Sequence, residues 1–281
     1  MKFSFAQPLI FLNLLMFNNI LLARGLPDTG IIECNTGINA SPCLIDNIDN
    51  NADFVGQDGH IGRDAAAIKG ILTKIGGGKS GFDYSKICNN GERENTGNCP
   101  ANPSLGTASN NWGCTIDNIS ELIWEVKLAD TNVLRSADYT YTWYNSDNSI
   151  NGGSAGIENG GEACFDTINC DTEKFVNQVN NMGLCGKTDW RLPSRRELNT
   201  LPDLSHRITS SASPAIDFNY FPNTMLTKYW TSSPTTLSTN PNGYIGTREY
   251  AWIVLFTNGL NQRIIKSLNN IHIRLVRGEH F

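Results

Sequence analysis

The chain has 281 residues, 40% hydrophobic and 17% charged, with a formal net charge of −5. That length can bury a sizeable core, and the acidic balance excludes wholesale binding to nucleic acid or to an anionic membrane. With 26 glycines and abundant Asn and Ser, the composition predicts many ordered loops rather than long helices.

Met1-Lys2 is a short positive start, Phe3 to Leu22 is mostly apolar, and Ala23-Arg24-Gly25 offers a cleavage site. Residues 1–25 therefore read as a secretory signal peptide. All eight cysteines lie beyond it: Cys34, Cys43, Cys88, Cys99, Cys114, Cys164, Cys170 and Cys185. An even count in an exported chain implies a disulfide framework, and the paired spacing of a zinc site is missing. Local pairing would join Cys34–Cys43, Cys88–Cys99 and Cys164–Cys170 and leave Cys114 with Cys185, although spacing alone does not fix connectivity.

Residues 26–109 read as a loop-rich extension with one helix. Ile61, Ala65, Ile68, Ile71, Leu72 and Ile75 recur at helical spacing, which predicts an amphipathic helix from His60 to Ile75. Gly76-Gly77-Gly78 would end it. Residues 110–281 have a different texture. Glu121–Lys127 reads as a strand, and Asp138–Tyr144 alternates strictly, with Tyr139, Tyr141 and Trp143 on one face. Asp171 or Thr172 caps a helix to about Met182, with Phe175, Val176, Val179 and Met182 in one stripe. Ser194-Arg195-Arg196-Glu197 is a capping box, so a second helix starts at Arg195 and stops near Leu201-Pro202. A short strand follows at Tyr229–Ser233. Tyr250–Phe256, Leu260–Lys266 and Ile271–Arg277, turned at Asn258-Gly259 and Asn269-Asn270, predict an antiparallel meander. Trp124, Trp190, Trp230 and Trp252 sit in apolar patterns and read as core.

Six stretches occur in a characteristic order: Leu122-Ile123-Trp124, Asp189–Pro193, Phe221–Thr224, Tyr229–Ser233, Ala251–Phe256 with Gly259, and Arg274–Gly278. Over about residues 110–281 the chain resembles the C-terminal domain of the Lcl collagen-like adhesins. Residues 62–67 resemble an extension seen in longer members. The resemblance implies an α+β, C-type-lectin-like fold, with two helices packed on a twisted antiparallel sheet and stapled by disulfides. The Arg-Leu-Pro-Ser-x-x-Glu motif is also similar to one in formylglycine-generating enzymes. The calcium-sugar motifs of sugar-binding C-type lectins are missing, and so is an evident pair of reactive thiols. Fold alone does not carry function.

Arg191, Arg195 and Arg196 surround the start of the second helix, where guanidinium forks can take an anion. Family adhesins are associated with sulfated glycosaminoglycans, so the resemblance points the same way. Pairing of these arginines with Asp189, Glu197 or Asp203 is the alternative. Tyr139, Tyr141, Trp143 and Tyr144 would stack on sugars or, more commonly, pack as core. Asp58, His60 and Asp64 are close in sequence but match no known ligand pattern. Asp46, Asn47, Asp49 and Asn51 lack the closing Glu and the glycine of a calcium loop. Gly76–Ser80 lacks the first glycine of a phosphate loop, which is Thr73 here. No metal and no cofactor is expected. The leading expectation is an exported, non-enzymatic binding module or adhesin-like protein, periplasmic, cell-surface or secreted, with a glycan or another extracellular polymer as ligand. An enzyme related to the formylglycine-generating fold and a structural subunit of an envelope complex are the alternatives.

Overall fold

The computed structural model describes residues 28–35, 40–42, 56–205, 213–236 and 248–280. Residues 1–25, read above as a signal peptide, and also Cys43 and the stretch Asp46, Asn47, Asp49 and Asn51 lie outside the described residues. Strands β1 (Glu33–Asn35) and β2 (Ala40–Pro42) form a small antiparallel ribbon. Helices α1 (Asp58–Ile61) and α2 (Arg63–Ile68) follow. They replace the single helix expected over His60–Ile75. Gly62 between them is extended, with φ −73° and ψ −174°, and breaks the run. The spacing misled because Ile61, Ile68, Ile71 and Ile75 are all exposed; only Ala65 of that stripe reaches the core.

The main body holds two antiparallel sheets. One comprises β3 (Tyr84–Cys88), β4 (Trp112–Asp117), β5 (Ile123–Glu125) and β9 (Val276–Arg277), in that order. The other comprises β6 (Lys228–Pro234), β7 (Tyr250–Leu255) and β8 (Asn261–Ile265). Strands β5, β6 and β7 bury residues on both faces, whereas β8 is largely exposed. Successive strand residues point to opposite sides, so Ile123, Trp230, Ile253 and Leu275 enter one apolar cluster. Their neighbours Trp124, Tyr229, Val254 and Val276 enter the other. Phe82 and Tyr84 also belong to that second cluster, so the segment before residue 110 supplies both a sheet strand and core.

Helix α3 (Thr172–Met182) covers the first cluster. The Asp171 carboxylate caps it by accepting from Lys174 N, and Gly183 ends it with φ 67°. Phe175 and Val179 are completely buried, each worth roughly 1.5–3 kcal/mol of transfer free energy. Helix α4 (Arg195–Leu198) is a single turn.

Two expectations about strands are corrected. Asp138–Tyr144 alternates but makes only isolated bridges, with Ile271, Asp171 and Gly156. Its groups are absorbed elsewhere: Tyr141 N donates to Ile271 O, Trp143 N to Lys266 O, and the Trp230 indole to Tyr141 O. Residues 271–277 do not close a meander with β8. Only Val276–Arg277 is a strand, and it pairs with β5 in the other sheet. The meander is β6–β7–β8 instead.

Disulfides join Cys88–Cys99, Cys114–Cys185 and Cys164–Cys170, and Cys34 is also disulfide-bonded. Such a set fits an oxidising compartment. No helix among the described residues is long and apolar enough to cross a membrane.

Candidate functional site

Ser194 begins α4 with both halves of its capping box in place. The Ser194 hydroxyl accepts from Glu197 N at 3.2 Å, and the Glu197 carboxylate accepts from Ser194 N at 2.7 Å. Arg195 N donates to the Ser233 hydroxyl at 3.0 Å. These three amides are therefore occupied within the protein and are not open to an anion.

The three arginines singled out by sequence have different fates. Arg191 is bound internally, by a bidentate pair with Glu197 at 2.9 and 2.7 Å and a bond to Gly278 O at 3.1 Å. Arg195 lies over the Trp252 ring, 4.3 Å from its centroid. Arg196 is exposed. Ser194, Arg195, Arg196, Ser233, Trp252 and His280 line a cleft of about 310 Å³. Arg263, directly opposite Trp252 across the β7–β8 ladder, brings its guanidinium to 5.8 Å from the same ring. Two guanidinium groups thus lie over one indole, and Arg196 lines the same cleft. The Glu197 carboxylate of the same helix is already engaged by Arg191.

Trp252 is half-buried, which corrects its reading as core; Trp124, Trp190 and Trp230 are fully interior. Residues 252 and 254 share a face, but Val254 reaches the apolar cluster whereas Trp252 lies where Arg195 and Arg263 cover it. Sequence reading missed Trp252 and Arg263. Period-two alternation in β7, together with counting back from the Asn258-Gly259 turn, is the signal that finds them.

Tyr141 and Trp143 are core, whereas Tyr139 and Tyr144 are half-buried at the edge of it. Lys79 of the glycine-rich stretch is tied to Asp203 at 2.6 Å. Asp58 and Asp64 converge, but the third member is Asp28 rather than His60. Burial and the neighbouring Asp28 carboxyl push Asp64 up to about 8, and burial also raises Asp28.

The conspicuous sequence motifs bind one another. Arg277 clasps Asp189 at 2.8 and 3.0 Å, and Arg191 exchanges backbone bonds with Val276. Arg274, wholly buried, donates to Glu125 O and to the Thr224 hydroxyl. Four of the six motif stretches are thus tied together around β5 and β9, and a family model, described as the Lcl C-terminal domain, matches residues 113–277. The chain belongs to the Lcl C-terminal domain family. No curated protein and no solved structure matches it. In this Lcl C-terminal domain the motif residues Asp189, Arg191, Arg274 and Arg277 hold the fold, and the solvent-facing chemistry lies beside them, on Arg195, Arg196, Trp252 and Arg263.

Proposed function

We propose that this chain is an exported, C-type-lectin-like binding module whose α4–β7–β8 cleft takes an anionic extracellular polymer, a sulfated or carboxylated glycan being the best fit. One observation carries the reading: Arg195 and Arg263 stack about Trp252 with Arg196 alongside, on a chain whose overall charge is negative. Stacking on an indole fixes the guanidinium planes while leaving their N–H forks free for sulfate or carboxylate. A local basic site on an acidic protein favours a specific anion over indiscriminate adhesion. The oxidation of Cys34, Cys88, Cys99, Cys114, Cys164, Cys170 and Cys185 supports binding over thiol chemistry, which needs a free thiolate.

The test is binding of a size-defined sulfated glycosaminoglycan, with neutral dextran as control, to the intact chain. Saturable, salt-sensitive binding that Arg195→Glu or Arg196→Glu removes, with melting temperature unchanged, is the expected result. Equal binding of both polymers, or binding indifferent to both substitutions, would sink the proposal.

A further inference from the structure

A second constellation lies on other elements, where the start of the described chain meets α1 and α2. Asp28 and Asp64 are buried and Asp58 is half-buried, and one carboxylate oxygen from each lies within 4.8 Å of the others. An ion centred among three atoms at that limit lies within about 2.8 Å of each, so a modest contraction brings all three to a calcium–oxygen bond of roughly 2.4 Å. Asp64 Oδ1 accepts Gly81 N–H at 3.2 Å. Asp64 Oδ2 and Asp28 Oδ2 accept from no donor outside the cluster, each having only the other's carboxyl as a partner, and their residues are 0% and 7% exposed. No basic side chain makes an ion pair with Asp28 or Asp64 among the described residues.

A buried carboxylate oxygen without an outside donor carries a heavy desolvation penalty, and here two occur side by side. The backbone makes room for them. A Cβ on Gly81 would meet the Asp28 carboxylate at 2.6 Å, and one on Gly62 would collide with Asp58. The Thr29 hydroxyl bonds to Asp58 and adds another oxygen at the rim. An all-oxygen, carboxylate-rich donor set selects a hard divalent cation over zinc or copper.

We propose that Asp28, Asp58 and Asp64 form a calcium site that pins the N-terminal arm to α1 and α2. The arm is already docked on the domain, with Leu204 N donating to Thr29 O at 2.8 Å. The ion therefore cross-links three separate stretches of chain onto the body that carries the cleft. The affinity expected is that of extracellular modules, with a dissociation constant on the order of 10⁻⁴–10⁻³ M. The rival state is a single proton shared between Asp28 and Asp64, which would leave the site no need of metal.

The test uses the intact, oxidised chain, stripped with a chelator and dialysed to equilibrium against radioactive CaCl₂. One calcium per chain is expected, together with a melting temperature that rises on adding CaCl₂. Asp64→Asn and Asp58→Asn should each weaken binding at least tenfold, whereas Arg196→Glu in the cleft should leave it unchanged. Should Asp64→Asn fail to fold, Asp58→Asn, at the half-buried rim, decides the matter. Calcium uptake that is undetectable with the folded wild type at roughly tenfold above that range, or uptake unaltered in Asp58→Asn, overturns the site.

Discussion

Glu197 grips Arg191 through two hydrogen bonds, at 2.9 and 2.7 Å, while the same carboxylate accepts the N–H of Ser194. Burial alone would raise the Glu197 carboxyl, but the Arg191 and Ser194 bonds outweigh it and hold the carboxyl below its usual 4.5. The stabilisation is thus present above that value and is lost as pH falls through the lowered one. Glu197→Ala removes a buried ion-pair partner and half a capping box, and should cost on the order of 3 kcal/mol. A urea melt at neutral pH checks this; a midpoint within error of wild type would mean that Arg191 finds another acceptor.

Trp252→Leu should leave the fold standing and impair the cleft. It removes two cation–π contacts of about 0.5–1 kcal/mol each, which corresponds to a loss of roughly 5- to 30-fold in polyanion affinity. Calorimetric titration alongside Arg263→Ala measures it. If Trp252→Leu binds as wild type, the indole does not position the arginines.

His272 sets an acid limit on stability. Burial, reinforced by the charge of Lys127, lowers its pKa from 6.5 to about 4. Between these values the unfolded chain holds a proton that the folded chain refuses, so stability falls as pH drops from 6.5 towards 4. The loss attributable to this residue is on the order of 3 kcal/mol at full extent. His272→Gln should flatten the pH profile of the urea midpoint across that interval relative to wild type; parallel profiles would contradict it.

The Cys114–Cys185 bond closes a span of 71 residues, and Cys164–Cys170 closes one of 6. Loop-closure entropy then predicts that Cys114→Ala with Cys185→Ala costs about 4 kcal/mol, and the shorter bond about 2 kcal/mol. Comparing the two double variants in urea tests the ranking. The reverse order would show that native-state packing, not chain entropy, governs these bonds.

Local signals in the sequence reported local structure well. Asp171 and the Phe175–Val179 stripe mark α3, and Ser194 with Glu197 marks the start of α4, because capping is decided by residues three apart. Signals that depend on which surface a segment meets were less readable. The isoleucines at 61, 68, 71 and 75 have helical spacing but face outward, with Gly62 interrupting the helix. Residues 271–277 have strand composition, but no local feature says that Val276 pairs with Trp124 rather than with β8. In the cleft, Arg195 and Arg196 were visible from the capping box. Trp252 and Arg263 become partners only once the register across β7 and β8 is set. Asp28 is 30 residues or more from Asp58 and Asp64 in the chain, so nothing in its local pattern announces the cluster.

Strand β3 lies outside the stretch matched to the family, yet it pairs along β4 from Tyr84↔Asp117 to Cys88↔Trp112. A shortened chain trimmed to residues 113–277 would strip one whole hydrogen-bonding edge from β4 and leave Cys114 and Ile116 beside a vacated flank. Bare edges of that kind recruit strands from other molecules. The trimmed piece would be sticky for a reason unrelated to ligand recognition, and spurious adhesion would be its first phenotype. An adhesion assay on this family member is meaningful only with a chain that begins ahead of Phe82.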